Sequence, residues 1–173
     1  TERTHERHGR PVLLLLREPH GRFLSQYHYW RDGATKGANV HTPAQREENR
    51  RLFPTAASFV DGALRRTWFA SAVLNKQTSW IVWGAHFQPQ THWLDGEHNN
   101  TWVVCYSATT LAARVDELLR HLHVPCDARR IPTTNPTVAY DQTVAHFNRT
   151  HMDWIESHYR SDVVLWDALC AGR

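Results

Sequence analysis

Lysine is scarce in this chain, with two residues against eighteen arginines and thirteen histidines. The formal net charge is +3 with histidine neutral, and the isoelectric point is near 9.0. Such a balance favours an anionic partner, whether phosphate, sulfate, an acidic glycan or nucleic acid. A mildly basic surface that contacts only solvent predicts the same values, so charge alone does not choose a function.

Long apolar runs are also missing. No segment approaches the roughly 18 to 20 apolar residues of a membrane-spanning helix, and no signal peptide opens the chain. The first residues, TERTHERHGR, are charged and lead straight into an apolar run. We therefore expect an excised domain or a fragment. With 173 residues, 41% hydrophobic and 21% charged, the composition is typical of a single globular domain over 1–173.

Cysteine is limited to Cys105, Cys126 and Cys170, without the C-x-x-C spacing of a metal site. An odd number permits at most one disulfide and a free thiol. No metal site is predicted. Two glycosylation sequons begin at Asn99 and Asn148, and they permit a secretory location without requiring it.

A short apolar run, PVLLLL at 11–16, is typical of a strand that is buried on both faces, as in a parallel sheet. Apolar residues then recur at helical spacing from Phe23 to Trp30, after a proline that suits a first helical turn. A second apolar run, TWVVCY at 101–106, predicts another buried strand. We expect Trp30 to pack in the core.

Most of the rest of the chain is predicted to be helical. Apolar periodicity predicts helices at 54–75, 109–122 and 149–171, the last broken near Tyr159–Asp162. Residues 31–50 are polar and predict a loop with a short helix near its end. Alternation of strands and helices predicts an α/β domain with a parallel sheet, in which ligands bind beyond the carboxyl ends of the strands.

Arg17 stands at that end of the first predicted strand. Its planar guanidinium matches phosphate oxygens, and the N–H groups of the helix that follows would add donors. Ser25, about two turns into the helix, could donate to the same anion. The ordinary alternative is a solvated or ion-paired arginine and a serine without a role.

The stretch LLREPHGRFLSQYHYW, residues 15–30, resembles the 3′-phosphate-binding segment of the carbohydrate sulfotransferases. The family pattern there is a strand, R-[DE]-P-x-x-R-[FL]-[LV]-S, and an aromatic-rich helix. The resemblance implies that Arg17 and Ser25 bind the 3′-phosphate of 3′-phosphoadenosine-5′-phosphosulfate (PAPS), the sulfuryl donor. It assigns Arg22 to bracing the turn.

Two later segments resemble the same family in order. RDGAT at 31–35 resembles an acceptor-contacting loop of the heparan sulfate 6-O-sulfotransferases, and it implies acceptor contacts by Tyr29 and Lys36, where those enzymes carry His and Trp. HFQPQTHWL at 86–94 resembles an H-[WF]-x-P-Q segment, so His86 is the candidate catalytic residue and Trp93 a candidate for stacking on a sugar. His28 is a second candidate, and a purely structural His86 remains open.

Two segments near the carboxyl end complete the resemblance. IPTTNPT at 131–137 matches a loop close to the nucleotide and implies contacts by Asn135 and Thr137. IESHYRSDVVLWDAL at 155–169 resembles the closing helices, with a Tyr-x-x-Asp step. The implied fold is a P-loop-NTPase-like three-layer parallel sheet with flanking helices, incomplete at its amino end.

The implied function is PAPS-dependent transfer of a sulfuryl group to a hydroxyl of a carbohydrate acceptor, without a metal. By resemblance the full-length protein would be membrane-anchored in the Golgi lumen. The family's phosphosulfate-binding segment, K-T-G-[GS]-[ST], has no match in these residues. That lack supports an alternative, a non-catalytic module that binds nucleotide or glycan. No nucleic-acid partner is predicted, because no recognition-module signature is present.

Overall fold

The computed structural model describes residues 12–32, 42–75, 87–93, 101–107, 110–123 and 146–171. The first half contains β1 Val12–Arg17, α1 Pro19–Asp32, α2 Pro43–Leu52, α3 Ala56–Leu64 and α4 Trp68–Asn75. A 3₁₀ turn at Gln90–Trp93 precedes β2 Thr101–Tyr106, α5 Leu111–His121, α6 Arg149–His158 and α7 Arg160–Leu169. In these ranges no helix has both the length and the apolar character that a membrane crossing requires.

The two predicted strands are confirmed, and they pair in parallel. Val12 lies opposite Thr101, and Arg17 lies opposite Tyr106. The prediction that both strands are buried is wrong, since Leu13 and Leu15 of β1 are 50% and 36% exposed and Trp102 of β2 is 40% exposed. Within the described part of the chain, the helices with extensive contacts to the sheet pack against β2. A run of leucines cannot distinguish one buried face from two, because both faces carry the same residue type.

The core is an aromatic cluster between α1, α3 and α6. Phe59 lies at its centre, with ring centroids 5.3 Å from those of Trp30 and Phe87 and 5.2 Å from that of Phe53. Phe23 and Tyr27 extend the cluster along α1. The predicted core position of Trp30 is confirmed. Such ring pairs stabilise the fold by about 0.5–1.5 kcal/mol each beyond the area they bury.

The single helix predicted over 54–75 is two helices in the structure. The chain turns after Leu64, where Arg66 adopts a φ of 52°. Thr67 closes the turn, since its N–H and its hydroxyl both donate to the carbonyl oxygen of Gly62, at 2.9 and 3.1 Å. The apolar periodicity did not reveal this turn, because apolar residues continue at helical spacing before and after it.

The predicted helix at 109–122 is present as α5, but its apolar stripe is not buried. Its residues are partly buried or exposed, and Leu122, which follows the helix, is 41% exposed. Thr110 directly precedes the helix and makes no side-chain capping bond. Its hydroxyl oxygen instead accepts from the N–H of Ser107 at 2.8 Å.

The break predicted near Tyr159–Asp162 is confirmed, because α6 ends at His158 and α7 begins at Arg160. Asn148 caps α6 by accepting from the N–H of His151 at 2.9 Å. A disulfide joins Cys105 to Cys170, with 5.6 Å between the Cα atoms. It links the end of α7 to β2, and it shows which two of the three cysteines pair.

Candidate functional site

The carboxyl end of β1 carries Arg17, whose side chain is buried. Its Cζ atom lies 5.9 Å from the ring centroid of Tyr106, the residue opposite it on β2. A guanidinium within about 6 Å of an aromatic ring is attracted to the ring face. The sheet therefore ends in a cation held beside an aromatic side chain.

The side chain of Gln90 forms two hydrogen bonds with the backbone of β1 at this end. Its Nε2 donates to the carbonyl oxygen of Leu15 at 2.6 Å, and its Oε1 accepts from the N–H of Arg17 at 3.1 Å. These are the two bonds that a neighbouring strand would make to alternate residues of β1. Gln90 thus fixes the backbone position from which the Arg17 side chain starts.

Asp162 in turn holds the backbone at Gln90. This carboxylate is fully buried, and its Oδ2 accepts from the N–H of Gln90 at 2.7 Å. Its Oδ1 accepts from the N–H of Thr91 at 2.9 Å and from the Thr91 hydroxyl at 3.1 Å. A buried charge costs free energy unless it is paired and hydrogen-bonded, and here both oxygens have partners.

Arg22 supplies the matching cation from α1. Its Nε lies 4.0 Å from Oδ2 of Asp162, and its Nη2 donates to the carbonyl oxygen of Gln88. Its guanidinium lies 5.7 Å from the ring centroid of Tyr159. Arg22 therefore links α1 to the 87–91 segment and to the junction of α6 and α7.

His158 holds the start of the same segment. Its Nε2 lies 3.0 Å from the carbonyl oxygen of Phe87, so that nitrogen carries the proton and donates. The ring stacks on Trp154 at 5.1 Å between centroids. Burial lowers the pKa of His158 below its usual value and so favours the neutral form, in which Nε2 still donates to Phe87.

The sequence predicts that the N–H groups at the amino end of α1 are available to a bound anion, but one of them already donates to a neighbouring side chain. The N–H of Gly21 donates to the carboxylate of Glu18, and burial raises the pKa of that carboxyl. A Cβ at position 21 would stand 1.8 Å from Oε1 of Glu18, so any larger residue there would displace the Glu18 side chain. An anion at Arg17 would compete with Glu18 for this end of the helix.

The remaining predicted residues divide into those with a described position and those without. Ser25 is partly exposed on α1, and Tyr29 follows one turn later on the same face, packed against the core. Trp93 ends the 3₁₀ turn. The others lie outside the described residues: Lys36, His86, Asn135 and Thr137.

The far end of α1 carries a separate ionic cluster around Asp32. Arg31 and Arg50 approach its carboxylate at 2.7 and 2.9 Å, and His28 lies 3.9 Å away. Burial alone would raise the pKa of Asp32, but the bonds from these side chains outweigh burial and hold the pKa well below its usual range. This second candidate histidine therefore belongs to a charge cluster at the opposite end of α1 from Arg17.

A pocket of about 520 Å³ opens between β2, α5 and α7. Tyr106 contributes to its wall, so the pocket adjoins the end of the sheet that carries Arg17. Trp102, Trp166 and the Cys105–Cys170 disulfide are part of its lining.

The sequence reasoning missed the supporting residues Gln90, Asp162 and Tyr106. Gln90 and Asp162 lay inside segments already quoted for the family resemblance, and that was the available signal. Their contacts join residues 72 and 73 positions apart, which no local pattern reveals.

No group of three potential metal ligands occurs among the residues with described positions. No protein-family model, curated protein or solved structure matches the chain.

Proposed function

We propose that this chain is a carbohydrate sulfotransferase domain that transfers the sulfuryl group of PAPS to a hydroxyl of a glycan. One observation carries the proposal. Three segments that each resemble this family meet at the carboxyl end of β1. Arg17 and Arg22 come from the first segment, Gln90 from the second and Asp162 from the third.

Specific bonds join the three segments. The side chain of Gln90 bonds the backbone of Arg17, and its backbone bonds Asp162. Asp162 is in turn near Arg22. Contacts between the three segments are what the proposal expects, and they support it.

In this proposal Arg17 and Ser25 bind the 3′-phosphate of PAPS. Tyr106 lies beside the guanidinium of Arg17, and Gln90 bonds the Arg17 backbone. The side chain therefore loses less conformational entropy when the anion binds. Neither residue takes part in the chemical step. They set where the donor lies, and positioning is a large part of catalysis in such group transfers.

The chemical step is an in-line displacement at sulfur. A base removes the proton of the acceptor hydroxyl, its oxygen bonds to sulfur, and the bond from sulfur to the donor phosphate breaks to release adenosine 3′,5′-bisphosphate. We assign the base to His86. The residue after it, Phe87, is fixed by the bond from His158. Tyr29, Lys36 and Trp93 are assigned to the acceptor, and Asn135 and Thr137 to the nucleotide.

A Golgi-luminal setting belongs to the same proposal. The Cys105–Cys170 disulfide is typical of proteins in oxidising compartments. The sequon at Asn148 is exposed, and its Oδ1 makes the helix cap, so the cap does not use the amide nitrogen that a glycan would join. Both features favour a secretory protein.

The first test is calorimetric titration of adenosine 3′,5′-bisphosphate into the chain and into Arg17→Ala. We expect the substitution to weaken binding by about tenfold or more, since a charged hydrogen bond contributes about 1.5–3 kcal/mol. Arg120→Ala, an exposed change on α5, should leave the affinity unchanged. Adenosine 5′-monophosphate, which lacks the 3′-phosphate, should not respond to Arg17→Ala.

A folded chain that does not bind the bisphosphate would contradict the proposal. The alternative, a binding module without turnover, is favoured by the lack of a K-T-G-[GS]-[ST] match in these residues. Transfer of labelled sulfate from PAPS to desulfated heparan separates the two. Tight binding without transfer would support the module.

A further inference from the structure

The turn between α3 and α4 exposes an unusual set of side chains, which we call the basic tip: Leu64, Arg65, Arg66 and Trp68. Trp68 is 75% exposed, more than any other large hydrophobic residue with a described position. Leu64 is 41% exposed, and both arginines are exposed. Exposed apolar side chains that occur together mark interaction sites more often than single ones do.

The basic tip stands on a well-bonded turn. The N–H of Arg65 donates to the carbonyl of Asp61, and that of Arg66 to the carbonyl of Ala63, both at 3.0 Å. Thr67 bonds the carbonyl of Gly62 through two donors. A Cβ at Gly62 would lie 2.6 Å from the ring of Phe53, so the turn rests directly on the aromatic core. The four side chains are therefore presented by a rigid base.

The charge of the tip is not neutralised by the rest of the described chain. No carboxylate there lies within ion-pair distance of Arg65 or Arg66. The nearest acid along the chain, Asp61, instead pairs with Nε2 of His151 at 3.1 Å. Two other exposed arginines, Arg51 and Arg149, have acidic partners on the same helix.

We propose that the basic tip docks on the surface of a phospholipid bilayer. Tryptophan favours the level of the headgroups, and the exposed leucine can enter the apolar layer beneath them. The guanidinium groups of Arg65 and Arg66 match lipid phosphates, and their stems can lie along the apolar layer. This inference does not depend on the nucleotide site.

Other occupants fit the same observations less well. A glycan would use the arginines and the Trp68 ring, but the Leu64 side chain offers it neither a hydrogen bond nor a stacking face. A stable protein interface takes about 20–30 residues on each side, far more than this turn presents. The combination of apolar and cationic groups on one turn favours lipid.

Cosedimentation of the full chain with phosphatidylcholine vesicles, with and without phosphatidylserine, tests the proposal. We expect binding that rises with the phosphatidylserine content. Replacing Arg65 and Arg66 by Gln should weaken it by about fivefold for each arginine. Trp68→Ala should weaken it by about tenfold. With brominated lipids, Trp68→Phe should still bind but lose the quenching of tryptophan fluorescence.

A matched control carries Arg149→Gln and Arg160→Gln, which remove the same charge from exposed positions on α6 and α7. This control should bind vesicles nearly as well as the unchanged chain. Vesicle binding that the tip variants do not alter would overturn the proposal, as would no vesicle binding by a folded chain. Binding to heparin that depends on the tip, without vesicle binding, would replace lipid by an acidic glycan.

Discussion

The two sides of the molecule are built very differently. Between α1, α3 and α6 the aromatic side chains are almost completely buried and contact one another in pairs. On the sheet side Leu13, Leu15 and Trp102 stay partly exposed, and α5 contributes no buried residue. Arg17 lies where the two sides meet. From this burial we expect the helical side to provide most of the stability, while the pocket opens on the sheet side.

The largest expected effect comes from substituting one aromatic residue at the centre of the helical side. Phe59→Ala should destabilise the fold by about 3–5 kcal/mol, because a large ring is lost and a cavity remains. Leu13→Ala, on the exposed face of β1, should cost about 1 kcal/mol or less. Urea unfolding of the two variants compares the two sides directly. Similar losses would show that the sheet side is as tightly packed as the core.

Replacing both Cys105 and Cys170 by Ser tests what holds the sheet side together. The disulfide closes a loop with a sequence separation of 65 residues. Its loss should cost about 2–4 kcal/mol, mainly because the unfolded chain gains freedom. Thermal unfolding measures this, and Cys126→Ser serves as the control. Hydrogen exchange should increase in β2 and α7 while α1 and α3 keep their protection. Equal loosening of all these elements would contradict the division into two sides.

Asp162→Asn acts at the junction. It removes a fully buried charge that accepts two backbone N–H groups and lies near Arg22. We expect a loss of about 2 kcal/mol in the free energy of unfolding, as for hydrogen bonds to a charged group. Asp116→Asn, at an exposed ion pair on α5, should change stability by about 0.5 kcal/mol or less.

The same Asp162→Asn variant should also bind adenosine 3′,5′-bisphosphate more weakly, because Gln90 would hold Arg17 less firmly. Arg17→Ala should weaken binding without an equal loss of stability. An Asp162→Asn protein that is destabilised but binds normally would show that the cluster supports the fold and not the nucleotide site.

The smallest expected effect concerns pH. Because burial lowers the pKa of His158, the unfolded chain takes up this proton at a higher pH than the folded chain does. The contribution of His158 to stability is therefore present above its unfolded pKa of about 6.5 and is lost as the pH falls below it. His158→Gln can still donate to the carbonyl of Phe87 and should flatten this dependence. Unfolding followed between pH 7.5 and 5 checks this, with the exposed His121→Gln as control.

Local elements were predictable because their causes are local. Six consecutive residues of β1, the apolar spacing of α1 and the break at Tyr159 all follow from the conformational preferences of neighbouring residues. The turn at Arg66 was missed, because it depends on Thr67 bonding Gly62 and leaves the apolar pattern unchanged. The P-loop-like three-layer sheet stays a prediction, since two strands are common to many α/β arrangements.

The candidate site shows the same division. The residue type at Arg17 and its place after an apolar strand follow from the amino-acid order alone, as does the resemblance that proposes its role. Only the tertiary structure decided that Gln90 brackets β1, that Asp162 accepts from Gln90, and that Tyr106 lies beside the guanidinium. The physical reason is distance along the chain. Hydrogen bonds and ring contacts between segments more than 70 residues apart depend on how the helices and strands pack. Local sequence patterns do not predict that packing.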